Sequence, residues 1–277
     1  MNYRHIYHAG NLCDVFKHIV LVQLLERLHE KAPPLFHLDT HAGIGLYALD
    51  SVEATKTSEA SDGIKKIATA QHPMFGRYFT LLRRANALFP AINICPGSPW
   101  LMAQLLRPHD KLVLCEKHPD DFLLLKKNMP AWPNIQLHHR DAYEAMGALL
   151  PPHEPRGFVL IDPPFEQADE WQKIHAALQK SAKKFSHAVC ALWYPIKDRT
   201  TTQRHVETIA NMGWKKIMLA EFIYAPPQRS DRLNGCGMLL INAPWQLDQW
   251  LTALIPALHQ ALQQPNCGSL VEVMGES

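Results

Sequence analysis

The chain of 277 residues has no CxxC pair, no run of eighteen apolar residues and no charged tail. Its six cysteines, Cys13, Cys95, Cys115, Cys190, Cys236 and Cys267, are scattered singly. A disulfide scaffold is denser and shorter, so these read as reduced thiols of a cytoplasmic protein. The missing long apolar run argues against a membrane span, and MNYRHIYHAGN lacks the apolar stretch of a secretion signal. Lys and Arg number 28 against 26 for Asp and Glu, a net charge of +2. Any nucleic-acid contact must therefore come from local patches rather than one basic face. Sixteen histidines are present, but neither H-E-x-x-H nor a cysteine cluster completes a ligand set, so no metal is expected.

What is present is a core: 47% of residues are hydrophobic and only 19% charged. Apolar positions from Val15 to Leu28 recur at helical spacing, predicting an amphipathic helix over 12–30 that stops before Pro33 and Pro34. LFHLD then reads as a buried strand entering the small-residue loop THAGIG. Beyond residue 97, strands KLVLCE, NIQLHH, GFVLID and HAVCALWY alternate with helices, followed by WKKIMLAEF, GCGMLLIN and SLVEVM. That rhythm predicts an α/β fold with a mostly parallel sheet covered on both faces. The late strands joined without a helix predict an antiparallel edge. Residues 50–97 break the rhythm and read as helical, one stretch over about 53–70 and another over 75–89, with no strand.

Acids stand at the ends of three apolar strands, Asp39, Glu116 and Asp162, and Asp141 opens the helix after a fourth. Strand carboxyl ends of a doubly wound sheet converge on one crevice. An acid ending the second strand suits ribose hydroxyls, and Asp141 suits an adenine edge. The loop DTHAGIG lacks the full G-x-G-x-x-G fingerprint, and the next strand-end acid, Glu116, is far beyond the usual twenty residues. A helical insertion over 50–97 accounts for that displacement. In DPPF (162–165), two prolines remove backbone donors and leave carbonyls free to accept. Asp162 and a proline carbonyl suit the two hydrogens of an exocyclic amine, with Phe165 stacking on the base.

DPPF resembles the signature of amino-methyltransferases that use S-adenosylmethionine. Together with YRHIYHAGNLCDVFKH, LDTHAGIGLY, CPGSP, EKHP, LWYP and GCGMLLINAPW, it resembles the large-subunit ribosomal RNA adenine-N6 methyltransferase family that modifies adenine 2030 of 23S RNA. The resemblance spans essentially the whole chain. It implies a Rossmann-like class I methyltransferase domain over 1–277 with a seven-stranded sheet and the inserted helical subdomain. It implies cofactor-pocket roles for Lys17, His18, His41 and Ser98, ribose binding by Glu116, and adenine binding by Asp141 and Ala142. Asp162 takes the catalytic role and also borders the cofactor, while Tyr3, Pro163 and Phe165 meet the substrate. Phe165 stands where the motif often has tyrosine, and Ala142 where glycine is common. The implied partner is 23S ribosomal RNA, met before full subunit assembly by a monomer with no membrane association. Two alternatives stay open: a DNA adenine-N6 methyltransferase, and a noncatalytic RNA-binding protein on the same fold.

Overall fold

The computed structural model describes residues 4–70, 72–226 and 232–274. Ten strands form: β1 (Leu35–Asp39), β2 (Leu46–Ala48), β3 (Ile94–Pro96), β4 (Lys111–Glu116), β5 (Ile135–His139), β6 (Arg156–Ile161), β7 (Val189–Ile196), β8 (Ile217–Ile223), β9 (Gly235–Ile241) and β10 (Leu270–Met274). Eight of them make one sheet in the order β10-β8-β9-β7-β6-β1-β4-β5. The pairs from β5 to β7 are parallel, and those linking β7, β9, β8 and β10 are antiparallel. The expected Rossmann-like class is present, but its sheet holds eight strands rather than seven. SLVEVM forms β10 and covers the edge of β8, whose backbone groups would otherwise lack ladder partners. Ser269 fixes the approach, its Oγ accepting from Ile223 N at 2.7 Å.

Central strands β1, β4 and β6 are buried almost throughout, as continuous apolar runs between two helical layers must be. Helices Leu12–His29, Ser98–Leu105 and Leu247–Leu262 pack on one face. Helices Ala142–Leu149, Glu170–Lys184 and Arg199–Ala210 pack on the other. No helix among the described residues is long and apolar enough to cross a membrane.

The helix Leu12–His29 departs from the amphipathic expectation: 13 of its 18 residues are buried, including Asp14, Lys17 and His18. It lies between the sheet and the helices of residues 50–97, so the side expected to meet water meets protein. Burial of each large apolar side chain such as Phe16 or Leu24 contributes about 1.5–3 kcal/mol, which holds the polar trio in place.

Residues 50–97 also differ from expectation. The single helix predicted over 53–70 is broken into Val52–Thr57, Glu59–Asp62 and Ile64–Ile67, with Ser58 at φ +57° between the first two. Gly63 forms the next break, where a Cβ would lie 2.1 Å from the carbonyl oxygen of Gly10. Ile64 N donates to that same carbonyl at 2.8 Å, docking the segment on the N-terminal arm. A second helix follows at Gly76–Ala85, and then a strand that the sequence did not disclose: β3 pairs antiparallel with β2. This short pair clasps the two ends of the segment together.

At the amino ends of β1 and β4, His29, His37 and Asp110 converge, a set that local sequence spacing concealed. His29 Nε2 lies 3.1 Å from His37 Nε2 and 3.5 Å from Asp110 Oδ2. Arg107 grips both Asp110 oxygens, through Nε and Nη2 at 2.8 Å each. With its carboxylate so committed, the group acts as a hydrogen-bonded bolt between helix and sheet.

Candidate active site

In the sheet, β5, β4, β1 and β6 lie side by side, so Asp141, Glu116, Asp39 and Asp162 stand in a row along one edge. Asp141, Glu116 and Asp162 line a cavity of about 420 Å³, whereas Asp39 is wholly buried and does not line it. Lys17, His18, His41, Ser98, Ala142, Pro163 and Phe165 line it as well. Tyr3 lies outside the described residues, so its predicted substrate contact has no structural counterpart here.

Glu116 accepts from Gly43 N at 2.9 Å and His118 N at 2.7 Å. Burial raises its pKa, and each oxygen keeps acceptor capacity toward the cavity. Gly43 turns at φ +60°, where a Cβ would meet the Tyr47 hydroxyl at 2.2 Å, so the backbone approaches the carboxylate only as glycine. Asp141 caps the helix Ala142–Leu149 through Tyr143 N at 2.9 Å and Glu144 N at 3.3 Å. Lys117 joins it at 2.9 Å, and against partial burial these bonds hold its carboxyl below the usual range. Ala142 opens that helix and is not among the positive-φ residues, so the absence of glycine there brings no strain.

Asp39 is fully buried, accepting from Ser98 Oγ at 2.7 Å and His41 N at 3.2 Å. Burial, with the Asp162 charge adding to it, pushes its carboxyl up to about 7. Burial also pushes His41 down to about 4 and His18 down to about 3, the latter with help from the Lys17 charge. Both rings are thus neutral near pH 7. His18 Nδ1 is buried with no hydrogen-bond partner among the described residues.

Lys17 is the hinge of the site's charge. Its Nζ lies 2.6 Å from Asp162 Oδ2 and 2.8 Å from Asp14 Oδ1. Burial disfavours its ammonium, yet the two carboxylates hold its pKa well above the ordinary lysine value. Asp14 in turn accepts from His5 Nε2 at 2.9 Å and Gly10 N at 2.9 Å. Despite complete burial, His5 and Lys17 keep its carboxyl well below the usual range. Sequence reading missed Asp14, although its place one helical turn before Lys17 was a usable signal.

After Asp162, Pro163 is buried and Phe165 turns at φ +51°, a rare conformation for an aromatic residue. The Phe165 ring packs on Trp171 at 5.1 Å and Trp193 at 6.1 Å between centroids. Trp193, also missed from sequence, lies 6.0 Å from Lys17 Nζ. The N-terminal arm borders the mouth: Arg4 bonds Asp121 at 2.6 Å, His5 meets the Tyr47 ring edge-on, and His8 bonds Glu59 at 2.8 Å.

A set of carboxylates, neutral histidines and proline carbonyls without partners among the described residues, at strand carboxyl ends, can hold a polar cofactor and accept hydrogens from an amine. The family described as ribosomal RNA large subunit methyltransferase D, RlmJ, matches residues 32–274. The ribosomal RNA large subunit methyltransferase J of Haemophilus influenzae is 35% identical over 271 residues, covering 97% of this chain and 96% of that protein. Its namesake from Escherichia coli K12 is 34% identical over 270 residues, with the same coverage. The crystal structure of protein LPL1258 from Legionella pneumophila superimposes with a TM-score of 0.85 at 30% identity, covering 98% of this chain and 99% of that one. With a fold, a crevice and relatives that coincide over nearly its full length, this chain belongs to the RlmJ family of large-subunit ribosomal RNA methyltransferases.

Proposed function

We propose that Asp162 and Pro163 form the catalytic centre of this enzyme. The activity is S-adenosylmethionine-dependent methylation of adenine N6 in 23S ribosomal RNA. The observation that carries the assignment of the centre is the division of labour on Asp162. Its Oδ2 is held by Lys17 at 2.6 Å, while Oδ1 has no partner among the described residues. That free oxygen and the Pro163 carbonyl are two acceptors for the two hydrogens of an exocyclic amine.

The chain's residues fit the cofactor. A cavity of this volume suits a ligand of nucleoside size. Glu116 takes ribose hydroxyls, and Asp141 with the Ala142 backbone takes the adenine edge. His18, with its unpartnered buried Nδ1, and His41, Ser98 and Lys17 border the remainder. When bound, S-adenosylmethionine supplies a methyl group already activated by its sulfonium.

The protein's part is to make the target nitrogen nucleophilic. Adenine N6 is poor while its lone pair is delocalised into the ring. Accepting both hydrogens turns that lone pair out of conjugation and fixes its direction, an orientation term worth several kcal/mol. Lys17 keeps the carboxylate from rotating. Asp162 Oδ1 then takes the proton that N6 sheds on methylation. Phe165 and Trp193 offer aromatic faces to an extruded or unpaired base.

Further parts of this reading are a single class I domain over 1–277 with 50–97 inserted, and a cytoplasmic monomer that meets 23S RNA before subunit assembly is complete. The test is methyl incorporation from labelled cofactor into protein-free 23S RNA, assembled large subunits and adenine-containing DNA. Transfer into free 23S RNA above the other two is expected. Transfer into DNA alone turns the assignment to DNA, and RNA binding without turnover turns it to the noncatalytic alternative.

A further inference from the structure

Four lysines line the crevice, and three are already matched to acids. Lys17 has Asp14 and Asp162, Lys117 has Asp141 at 2.9 Å, and Lys173 has Asp169 at 2.9 Å. Lys197 has neither acid nor hydrogen-bond acceptor for its ammonium among the described residues. Arg199, two residues on, is tied instead to the buried Glu221 at 3.3 Å.

The exposed side chain of Lys197 is mounted on a fixed backbone. Its carbonyl accepts from Asn234 Nδ2 at 2.8 Å, and the carbonyl before it accepts from Asn234 N at 2.9 Å. Asn234 is itself fully buried. Trp193, Pro195 and Lys197 follow at two-residue spacing along β7 and its continuation, and all three line the crevice. Extended chain rises about 3.3 Å per residue, so the strip runs roughly 13 Å from an aromatic face beside Lys17 to an unmatched cation at the rim. An aromatic surface leading to a fixed positive charge is the pattern that holds a base and an adjoining backbone phosphate.

We propose that Lys197 binds a backbone phosphate of the ribosomal RNA strand beside the target adenosine, and so positions the substrate strand over the Asp162 centre. This rests on the RNA-methylating reading above. A net charge of only +2 gives the protein little diffuse attraction for RNA, so an unmatched cation at the crevice carries an outsized share.

Counterion release sets the expected size. One phosphate contact changes log K by about 0.7–0.9 per decade of salt, which makes it worth roughly 5- to 8-fold at about 0.1 M and under about 2-fold at about 0.5 M. Methyl transfer into 23S RNA is measured for wild type, Lys197→Ala, Lys197→Arg and Lys197→Glu at both salt concentrations. Lys197→Ala should raise KM for RNA by those factors while kcat stays within about twofold. Lys197→Arg should restore KM, and Lys197→Glu should exceed the alanine loss. Unfolding midpoints and calorimetric cofactor affinity should match wild type, since the side chain is exposed and outside the proposed cofactor contacts. A Lys197→Ala KM within twofold of wild type at about 0.1 M, or a loss independent of salt, overturns the proposal. Failure of wild type to methylate 23S RNA overturns the activity instead, so the two failures are distinct.

Discussion

Replacing Lys17 with methionine keeps a long unbranched side chain but removes the ammonium shared by Asp14 and Asp162. The Lys17 and Asp14 side chains are only 5% and 4% exposed, so water does not replace the lost partner. Removing one member of a buried ion pair costs about 3–5 kcal/mol, chiefly from the charge left behind. For a chain of this size each kcal/mol moves the melting temperature by about 2–4 °C, giving an expected fall of roughly 6–20 °C. The double variant Lys17→Met/Asp14→Asn should regain part of that loss, because a neutral amide can keep bonds to His5 and Gly10 without a counter-charge. The pH dependence has a definite sign. Asp14, with its folded pKa depressed, contributes stability present above the ordinary carboxylate value of about 4 and lost as pH falls through its lower folded value. Lys17, with its folded pKa raised, contributes stability present below about 10.5 and lost as pH rises through its higher folded value. The gap between wild type and Lys17→Met should therefore be widest between those limits and close on acidification. Urea titrations at pH 7 and pH 3, alongside single-turnover methyl transfer, measure all of this. Equal stability of Lys17→Met and wild type at pH 7 would refute the reasoning.

Asp162→Asn and Asp162→Ala should keep cofactor affinity while turnover falls by about 10²–10⁴-fold, with alanine at least as damaging; near-wild-type single-turnover rates for alanine would remove Asp162 from the centre. Glu116→Ala should weaken cofactor binding roughly 10- to 100-fold by calorimetry, the worth of a charge-assisted hydrogen bond, and unchanged affinity would reject its ribose role. Burial holds His29 and His37 down to about 4, His41 likewise and His18 lower still. The unfolded chain therefore takes up protons first, and stability should decline as pH falls from about 6.5 toward 4, even with Asp39 acting in the opposite sense. A urea midpoint that stays flat from pH 7 to pH 5 would contradict this.

The strand-end acids were legible because burial on both faces makes each central strand an apolar run that stops abruptly at its polar end. Their row was harder to read, since chain order is Asp39, Glu116, Asp141, Asp162, whereas spatial order is Asp141, Glu116, Asp39, Asp162. Only the crossover topology converts one into the other. The broken helix over 53–70 was hidden because its breaks answer to a distant partner: Gly63 is required by the nearness of Gly10, not by its neighbours in sequence. The short strand β3 was hidden for the same reason, its partner β2 lying beyond the whole insertion. Phe165 was foreseen as an aromatic face, but its left-handed backbone and its packing on Trp171 and Trp193 depend on two other elements. The family resemblance likewise placed Lys17 in the pocket without revealing that carboxylates occupy its ammonium.

The Lys17–Asp162 bond joins positions 145 residues apart. On a ribosome adding about 5–20 residues per second, Asp162 arrives roughly 7–30 s after Lys17. Through that interval the first helix has no β6 to complete its pocket, and the lysine's remaining ion-pair partner among the described residues is Asp14, one turn away on the same helix. Asp14 thus serves the nascent chain as well as the finished one, letting an apolar helix with a charge on its inner side form without an unmatched cation. If the proposed centre holds, methyl-transfer competence is a late event in synthesis: β6, the last strand to join the row of acids, also brings the Asp162 carboxylate.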